Sequence, residues 1–283
     1  MTVINTNITA LFAQSSLRTN NHNLNNAMEQ LSTGQRINSA KDDAAGLAIT
    51  TTMTSNIRGL TQAVRNANDG ISLLQTAEGA MIEQTNILQR MRELSIQAAS
   101  ATYNDDQISY LDNEFQALNE QLNNIANQTS WNGDKLLNAN SGSSQTATDS
   151  TFNFLVGSTG IEIVKVDVRN VTSGADGLGT ESLKLDPLTT GSYQDAIDGV
   201  DEALKRISMA RSKIGSGINQ LSHVTDNLTN VIQNTTASRS QILDTDYAIA
   251  TTKLASSQII AQAATAMLAQ ANQSQQSVLS LLK

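Results

Sequence analysis

The residue types that most often do chemistry in proteins are sparse in this sequence and form no catalytic pattern. There is no cysteine, and the two histidines, His22 and His223, lie far apart in the chain. Asp42 and Asp43 are adjacent carboxylates, but neighbouring side chains on a helix do not face each other, which favours capping of the helix that follows. The Gly-rich stretch 174–179 lacks the Lys-Ser/Thr pair of a phosphate-binding loop. The sequence therefore predicts no catalytic, metal or cofactor site.

Composition excludes several classes of partner. The chain has 18 Lys and Arg against 26 Asp and Glu, so its net charge is −8, and an acidic surface repels nucleic-acid phosphates. No run of about 18 apolar residues occurs, so no membrane insertion is predicted. The start, residues 1–7, has no basic segment before an apolar core, so we expect no cleavable signal peptide.

The same composition favours long helices. The 283 residues contain one proline, whereas average usage would give about 14. Aromatic residues make up 3%, although large aromatic side chains dominate most globular cores. A chain with so few helix breakers and bulky side chains suits long helices packed side by side.

Three helices are predicted in the first half of the chain, at about 2–32, 44–99 and 107–128. In the first, apolar residues recur at alternating steps of four and three, which is typical of a coiled-coil seam with polar gaps. The walk passes through Val3, Asn7, Ala10, Gln14, Leu17, Asn21, Leu24, Met28 and Leu31. We predict that Leu17, Leu24, Met28 and Leu31 carry the assembly seam of this helix. Gly, Ser, Asn and Asp cluster at 32–43, which indicates a connector.

A small β region is predicted after the third helix. Asn132-Gly133 is a turn signal, and the chain then becomes rich in Gly, Ser and Thr. Apolar residues alternate at 152–156 and 161–168, which predicts two strands joined by a hairpin turn at 157–160. Ser182–Leu185 is predicted as a third strand, ended by Pro187.

Helical periodicity returns at about Tyr193 and continues to the C-terminus, with a joint predicted near 238–246. After the joint a second seam is rich in alanine; its predicted assembly residues are Leu254, Ala261, Ala264, Leu268, Val278 and Leu282. Alanine buries far less area than leucine, so these helices gain little from packing as an isolated pair. We therefore expect both chain ends to be disordered in the monomer and to fold when copies associate.

Several segments closely resemble the signatures of bacterial flagellins. The runs are LSTGQRINSAKDDAAGLAI at 31–49, QTAEGAM at 75–81, LQRMRELSIQAA at 88–99, WNGDKLL at 131–137, RSKIG at 211–215 and ILDTDYA at 242–248. The resemblance covers about 1–137 and 195–283, in the right order at both ends. Residues 138–194 carry no motif of the family.

The resemblance implies a mainly α fold, with long antiparallel helices, a terminal coiled coil and a small β-hairpin region in the middle. It implies a terminal coiled-coil domain (1–43 plus 237–283) lining an inner tube, a helical core domain (44–130 plus 193–236) and a β region of that core (131–192). It also implies an extracellular homopolymer, exported unfolded through the flagellar type III apparatus. A flagellar export chaperone, a cap protein and hook-associated proteins are the implied partners.

The family resemblance further implies a contact site for the vertebrate Toll-like flagellin receptor. Its residues map here onto Gln89, Arg90, Glu93, Leu94, Gln97 and Glu114. Charged groups such as Arg90 and Glu114 suit a hydrogen-bonded interface, and Leu94 is expected to fill an apolar pocket. A solvated helix face with pairs such as Glu93 with Gln97 is the simpler interpretation of the same residues. The other interpretation is a lateral or axial contact between subunits, which the receptor then also uses.

Other interpretations stay open on the sequence. A hook-associated junction protein shares the terminal signatures, although its middle is usually larger. A soluble adhesin or receptor-binding module would have ordered ends in a stable monomer. An enzyme is disfavoured, because no nucleophile–base or metal constellation is present. The many Ser and Thr in 141–159 are interpreted as neutral loop residues or as acceptors for O-linked sugar.

Overall fold

The computed structural model describes residues 6–100, 102–138, 145–146, 149–158, 161–174, 177–186 and 192–280. The helices are α1 (Ile8–Thr33), α2 (Ala44–Ala98), α3 (Asp105–Gln128), α4 (Ser192–Leu243) and α5 (Tyr247–Ser280). The strands are β1 (Ser130–Trp131), β2 (Asp134–Lys135), β3 (Gln145–Thr146), β4 (Asp149–Leu155) and β5 (Ile163–Arg169). The mainly α fold with a small β region between helices is confirmed.

Side-chain caps fix where two of the helices begin. Asn104 and Gln107 form a capping box at the start of α3, each side chain bonding the other residue's backbone N–H. At α2 the carboxylate of Asp43 accepts from the backbone N–H of Gly46 at 2.8 Å. Asp42 accepts instead from the backbone N–H and the hydroxyl of Ser39, both at 2.9 Å. Of the two adjacent carboxylates, Asp43 is the cap, and Asp42 organises the connector before it.

The chain divides into two compact units. The terminal unit combines the described residues up to Ile57 with those from Gln233 onward, and the central unit runs from Arg58 to Ile232. In the terminal unit α1 packs against α5. In the central unit the sheet and α3 share one core with parts of α2 and α4.

The core of the central unit is formed by aliphatic side chains from helices and sheet. Its fully or nearly fully buried members include Leu74, Met81, Leu88, Met91, Phe115, Leu122, Val164, Val166, Val168, Ile207 and Ile214. Within this unit α2 and α4 run antiparallel: Arg92 pairs with Asp201, whereas Leu60, toward the start of the same segment of α2, packs with Leu228.

The strands β3, β4 and β5 form an antiparallel sheet, with Phe152 opposite Val166 in its register. Gly70 of α2 lets Phe154 approach closely, because a Cβ at residue 70 would lie 2.8 Å from the ring. The backbone N–H of Val156 donates to the carbonyl of Glu162 at 2.9 Å, which closes β4 onto β5 as predicted. The tip of that predicted turn, 159–160, lies outside the described residues, as do 141–144 and 147–148 of the Ser/Thr-rich stretch.

The Asn-Gly turn predicted at 132–133 is confirmed. It joins β1 to β2 in a two-residue hairpin, with φ of 51° at Asn132 and 93° at Gly133. Positive φ at both central positions is the requirement of the tight turns that connect hairpins.

The third strand predicted at Ser182–Leu185 is wrong. The segment begins in a turn and is unpaired with the sheet, and β3 is the third strand instead. Side chains of α3 take the hydrogen bonds that a ladder would have used: Gln116 donates to the carbonyl of Leu183 at 2.9 Å, and Asp112 accepts from the N–H of Leu185 at 2.9 Å. Pro187 lies outside the described residues.

Candidate assembly and recognition surfaces

The terminal helices form an antiparallel pair joined by asparagine side chains. The amide of Asn20 on α1 donates to the carbonyl of Ser257 on α5 at 2.7 Å, and that of Asn7 donates to the carbonyl of Ala271 at 3.0 Å. Asn20 is 6% exposed, so its hydrogen bond satisfies an amide that would otherwise be buried without a partner.

The face between α1 and α5 is built mostly from small residues. On α5 the buried or partly buried positions follow the predicted steps of four and three: Ala250, Leu254, Ser257, Ala261, Ala264, Leu268 and Ala271. On α1 the corresponding positions are Ala10, Ala13, Leu17, Asn20, Leu24, Ala27 and Leu31. The side chain of Val278 and all of Leu282 lie outside the described residues.

The sequence analysis places Met28 in the seam of α1, but in the structure Met28 lies outside the face of α1 that contacts α5. It is 52% exposed, whereas the adjacent Ala27 is 3% exposed and faces α5. The predicted steps of four and three pass through Gln14, Asn21 and Met28, whereas in the structure the residue before each of these faces α5. Met28 is the larger apolar side chain, so a hydrophobicity pattern favours it, but the close approach of the two helices favours alanine.

Several large apolar side chains of this helix pair are exposed. Phe12 is 76% exposed, and Ile8, Leu11, Ile259, Ile260 and Met267 are exposed as well. Here we call these six residues the outward apolar face. Isolated exposed apolar residues are ordinary, but a set this large on one helix pair indicates an interaction surface. The pair thus buries alanines and exposes its bulkiest groups.

The predicted recognition residues lie in the central unit, and three of them form an ion-pair cluster. Arg90 lies 2.9 Å from the carboxylate of Glu114 on α3 and 3.1 Å from that of Glu93, one turn along α2. The hydrogen bonds that Arg90 donates to Glu114, and then to Glu93, raise the pKa of Arg90 above its ordinary value. All three side chains are exposed, so the cluster is an ordered, charged surface.

The other predicted recognition residues are placed differently. Gln89 is exposed, and the amide of Gln97 donates to the hydroxyl of Tyr103 at 3.0 Å. Leu94 is 0% exposed and belongs to the core of the central unit. In this structure Leu94 therefore supports the surface from beneath, and an apolar pocket on a partner has no access to it.

Two polar groups were not found by reasoning from the sequence. Arg92 pairs with Asp201 at 2.6 Å, and the hydrogen bonds that Arg92 donates to this carboxylate raise the pKa of Arg92. Arg92 and Asp201 are far apart in the sequence, so their pairing can be predicted only when α2 and α4 are known to be antiparallel. Gln84, fully buried in α2, donates to the carbonyls of Leu122 and Val171. The steps of three and four that the buried apolar residues of α2 follow pass through this position, and that is the sequence signal that could have found it.

No group of three potential metal-ligating side chains occurs within the part of the chain that the structure describes. His22 interacts with the side chain of Asn26 at 3.2 Å, one turn along α1. Among the described residues, no helix combines the length and apolar character needed to cross a bilayer.

Long paired helices with an exposed apolar face suit a structural protein that packs against other copies or partners. Comparison with known families is specific: the bacterial flagellin N-terminal helical region matches residues 4–142, and the bacterial flagellin C-terminal helical region matches residues 197–282. The chain belongs to the flagellin family, the structural subunits of the bacterial flagellar filament.

Relatives and solved structures agree with this assignment. A flagellin of Halalkalibacterium halodurans is 42% identical over 281 residues, which cover 99% of this chain and 100% of the relative. Flagellin B of Vibrio anguillarum is 36% identical, with 99% of each chain covered. A putative flagellar hook-associated protein from Vibrio parahaemolyticus shares the fold, with a TM-score of 0.60 and 13% identity over 72% of this chain and 100% of that structure.

Proposed function

We propose that the chain self-assembles into the flagellar filament for motility and folds its ends as it polymerises. Segments 1–43 and 237–283 would form the inner coiled-coil tube, and 44–130 with 193–236 the helical wall around it. Residues 131–192 would be the small β region of that wall. The observation that carries this proposal is the outward apolar face, which the chain's own terminal unit leaves exposed.

The energetics of the terminal unit support association-coupled folding. Covering a phenylalanine, isoleucine or methionine fully is worth about 1.5–3 kcal/mol per side chain, whereas an alanine contact contributes much less. Phe12, Ile259 and Met267 are exposed, while half of the positions in the α1–α5 contact are alanine and the leucines there are only partly buried. Much of the hydrophobic stabilisation open to these helices would therefore come from neighbouring copies.

Terminal truncations test the proposal. Deleting 1–40 or 245–283 removes one helix of the pair and should leave a folded central unit that does not polymerise. Circular dichroism reports the remaining helix, and electron microscopy of seeded samples reports polymer. Normal filaments from either truncation would contradict the proposal.

Point variants test the outward apolar face itself. Phe12→Ser and Ile259→Ser should slow seeded elongation strongly, because each removes an apolar group that a neighbour would cover. Thr19→Ser, also exposed on α1, is the matched control and should elongate at the reference rate. Elongation of the two serine variants at the control rate would exclude this face as the contact.

Export is the second part of the proposal. The protein would leave the cell through the flagellar type III apparatus, with an export chaperone holding α5 and with cap and hook-associated proteins as further partners. Exposed Ile259, Ile260 and Met267 give such a chaperone an apolar helix face to cover. We expect the chain in the medium of a wild-type strain and in the cells of a strain whose flagellar type III apparatus is inactive. Its presence in the medium of both strains would contradict this route.

A hook-associated junction protein and a soluble adhesin are the alternatives to the filament role. Labelled protein along the whole filament would support the proposed role, whereas label confined to the filament base would favour the junction protein. A stable monomer with fully helical ends and no polymer would favour the adhesin.

A role as ligand of a host Toll-like flagellin receptor is a second proposal, favoured by the exposed cluster of Arg90, Glu93 and Glu114. Gln89 and Gln97 flank this cluster, and buried Leu94 holds the helix surface in place. Arg90→Ala and Glu114→Ala should each reduce receptor signalling by monomer, while Arg65→Ala, another exposed arginine of α2, should not. Equal signalling by all three variants would contradict the proposal.

A further inference from the structure

The two breaks that flank the terminal helices are held together by main-chain hydrogen bonds. The N–H of Arg36 donates to the carbonyl of Leu243 at 2.7 Å, and the N–H of Thr245 donates to the carbonyl of Gly34 at 3.0 Å. Gln35 and Asp244 form an antiparallel bridge between them. The Arg36 guanidinium adds a bond of 2.8 Å to the carbonyl of Ile242, in the last turn of α4. We call this junction of 34–36 with 242–245 the clamp.

The interface between α1 and α5 carries little information about its own register. Asn20 faces Ser257, and one heptad along the antiparallel pair Ala27 and Ala250 are both buried at 3% exposure. One heptad in the other direction, Ala13 and Ala264 are both partly buried. At these positions a shift of seven residues therefore replaces small residues by small residues.

The asparagine contacts do not remove this ambiguity. A buried asparagine can specify register in a coiled coil when it needs a matching side chain. Here Asn20 and Asn7 donate to backbone carbonyls, of Ser257 and Ala271, and every residue of a helix carries one. After a shift of seven residues, the amide of Asn20 would meet the carbonyl of Ala264 instead.

We propose that the clamp sets the register of α1 against α5, with Arg36 as its positioning residue. The backbone bonds of the clamp join one specific pair of breaks, and a shift of seven residues, about 10 Å along a helix, would break all of them. Gly34 takes part through its conformation, with φ of +71°, because it ends α1 in the left-handed region that glycine adopts without strain.

The consequence for a polymer rests on the proposed function. The outward apolar face is contributed by both helices, and a shifted α5 would present Ile259 and Met267 at the wrong height beside Phe12. Identical subunits must expose identical surfaces to form a regular helical assembly. The clamp would thus make the terminal helices of every copy equivalent as they fold against neighbouring copies.

Disulfide trapping tests the register directly, because the chain has no cysteine of its own. One full-length variant carries Ala27→Cys with Ala250→Cys, the pair that faces in the observed register. A second carries Ala27→Cys with Ser257→Cys, which meet only after a shift of seven residues. Disulfides need Cα atoms within about 4.4–6.8 Å, so a shift of about 10 Å separates the two pairs cleanly.

Each cysteine pair is placed in four backgrounds. Arg36→Pro removes both the N–H and the guanidinium, and Arg36→Ala removes the guanidinium alone. Ala40→Pro is the matched control: it lies in the same connector, at the second position of the turn closed by the N–H of Asp42 and the carbonyl of Ser39, where proline is favoured. The fourth background is the unchanged chain, and its polymerisation is measured separately without cysteines, so that failure of the proposed function is recognised independently.

The outcomes separate register from stability. In the unchanged and Ala40→Pro backgrounds the observed-register pair should crosslink and the shifted pair should not. In Arg36→Pro the ratio of shifted to observed crosslink should rise about tenfold or more, as expected when more than one hydrogen bond is lost, with a smaller rise in Arg36→Ala. Retention of the observed pair alone in Arg36→Pro would overturn the proposal. Loss of both crosslinks would also overturn it, since the clamp would then hold the pair together without choosing its register.

Discussion

Single polar side chains inside the central unit form hydrogen bonds between elements whose contacts the hydrophobic pattern alone does not predict. Gln84 of α2 donates to the carbonyls of Leu122 on α3 at 3.1 Å and Val171 after β5 at 3.2 Å. Its own carbonyl oxygen is buried with no hydrogen-bond partner among the described residues. A buried amide with two good donors fixes how the helices and the sheet meet, because misplacing it leaves polar groups unpaired.

Replacing this glutamine should therefore be costly. Gln84→Ala removes two buried hydrogen bonds and leaves a cavity, and we expect a loss of about 2–3 kcal/mol in the free energy of unfolding. Gln75→Ala, exposed on the same helix, should change that free energy by less than about 0.5 kcal/mol. Urea unfolding followed by circular dichroism measures the free energy of unfolding of both variants. Equal values for the two would show that the buried hydrogen bonds of Gln84 do not stabilise the central unit.

Tyr193 gives the central unit an alkaline limit. Burial, with smaller effects from the carboxylates of Asp105 and Asp186, raises the pKa of Tyr193 above its ordinary value of 10.0. A raised pKa means that the folded state favours the protonated phenol. Its contribution to stability is therefore complete below pH 10 and is lost as pH rises through the pKa of the folded state.

The expected result is a fall in the urea midpoint between pH 9 and 11 that is smaller in Tyr193→Phe than in the unchanged chain. Tyr110→Phe, at a tyrosine that is 70% exposed, should keep the full pH dependence. The same slope in all three proteins would show that Tyr193 ionises equally easily in the folded and unfolded states.

At the scale of elements, most of the fold could be predicted because the residues that end the helices form short clusters that are visible in the sequence. Clusters of Gly, Ser, Asn and Asp stop the helices, and they place the starts of α2 and α3 within two residues of the predicted positions. The failures are tertiary. Ala27, and not Met28, faces α5 because small residues allow the two helices to approach closely. Ser182–Leu185 pairs with no strand because side chains of α3 form hydrogen bonds with its backbone. The pairing of Arg90 with Glu114 likewise requires α2 and α3 to be side by side.

Two glycines of the central unit should respond oppositely to the same substitution. Gly133 sits at φ of +93° in the β1–β2 turn, so Gly133→Ala should lower the free energy of unfolding by about 1 kcal/mol or more. At Gly79, inside α2, an added Cβ would meet no atom within 4 Å. Gly79→Ala should therefore raise the free energy of unfolding by about 0.5–1 kcal/mol. Changes of the same sign in urea unfolding would contradict this view of the turn.

At the scale of the whole molecule, the two units differ in how they are stabilised. The central unit buries leucine, methionine and phenylalanine within one chain, whereas the terminal unit buries mainly alanine and exposes its larger apolar groups. Such a division suits a protein that keeps a folded middle before assembly and completes its ends afterwards.

The most direct test is circular dichroism of heat-dissociated monomer before and during seeding with sheared filament ends, with electron microscopy of the product. The account predicts a helix signal below that of the full set α1–α5 in the monomer, and a rise in that signal in step with growing tubes. A fully helical monomer that forms no tubes after seeding would contradict it.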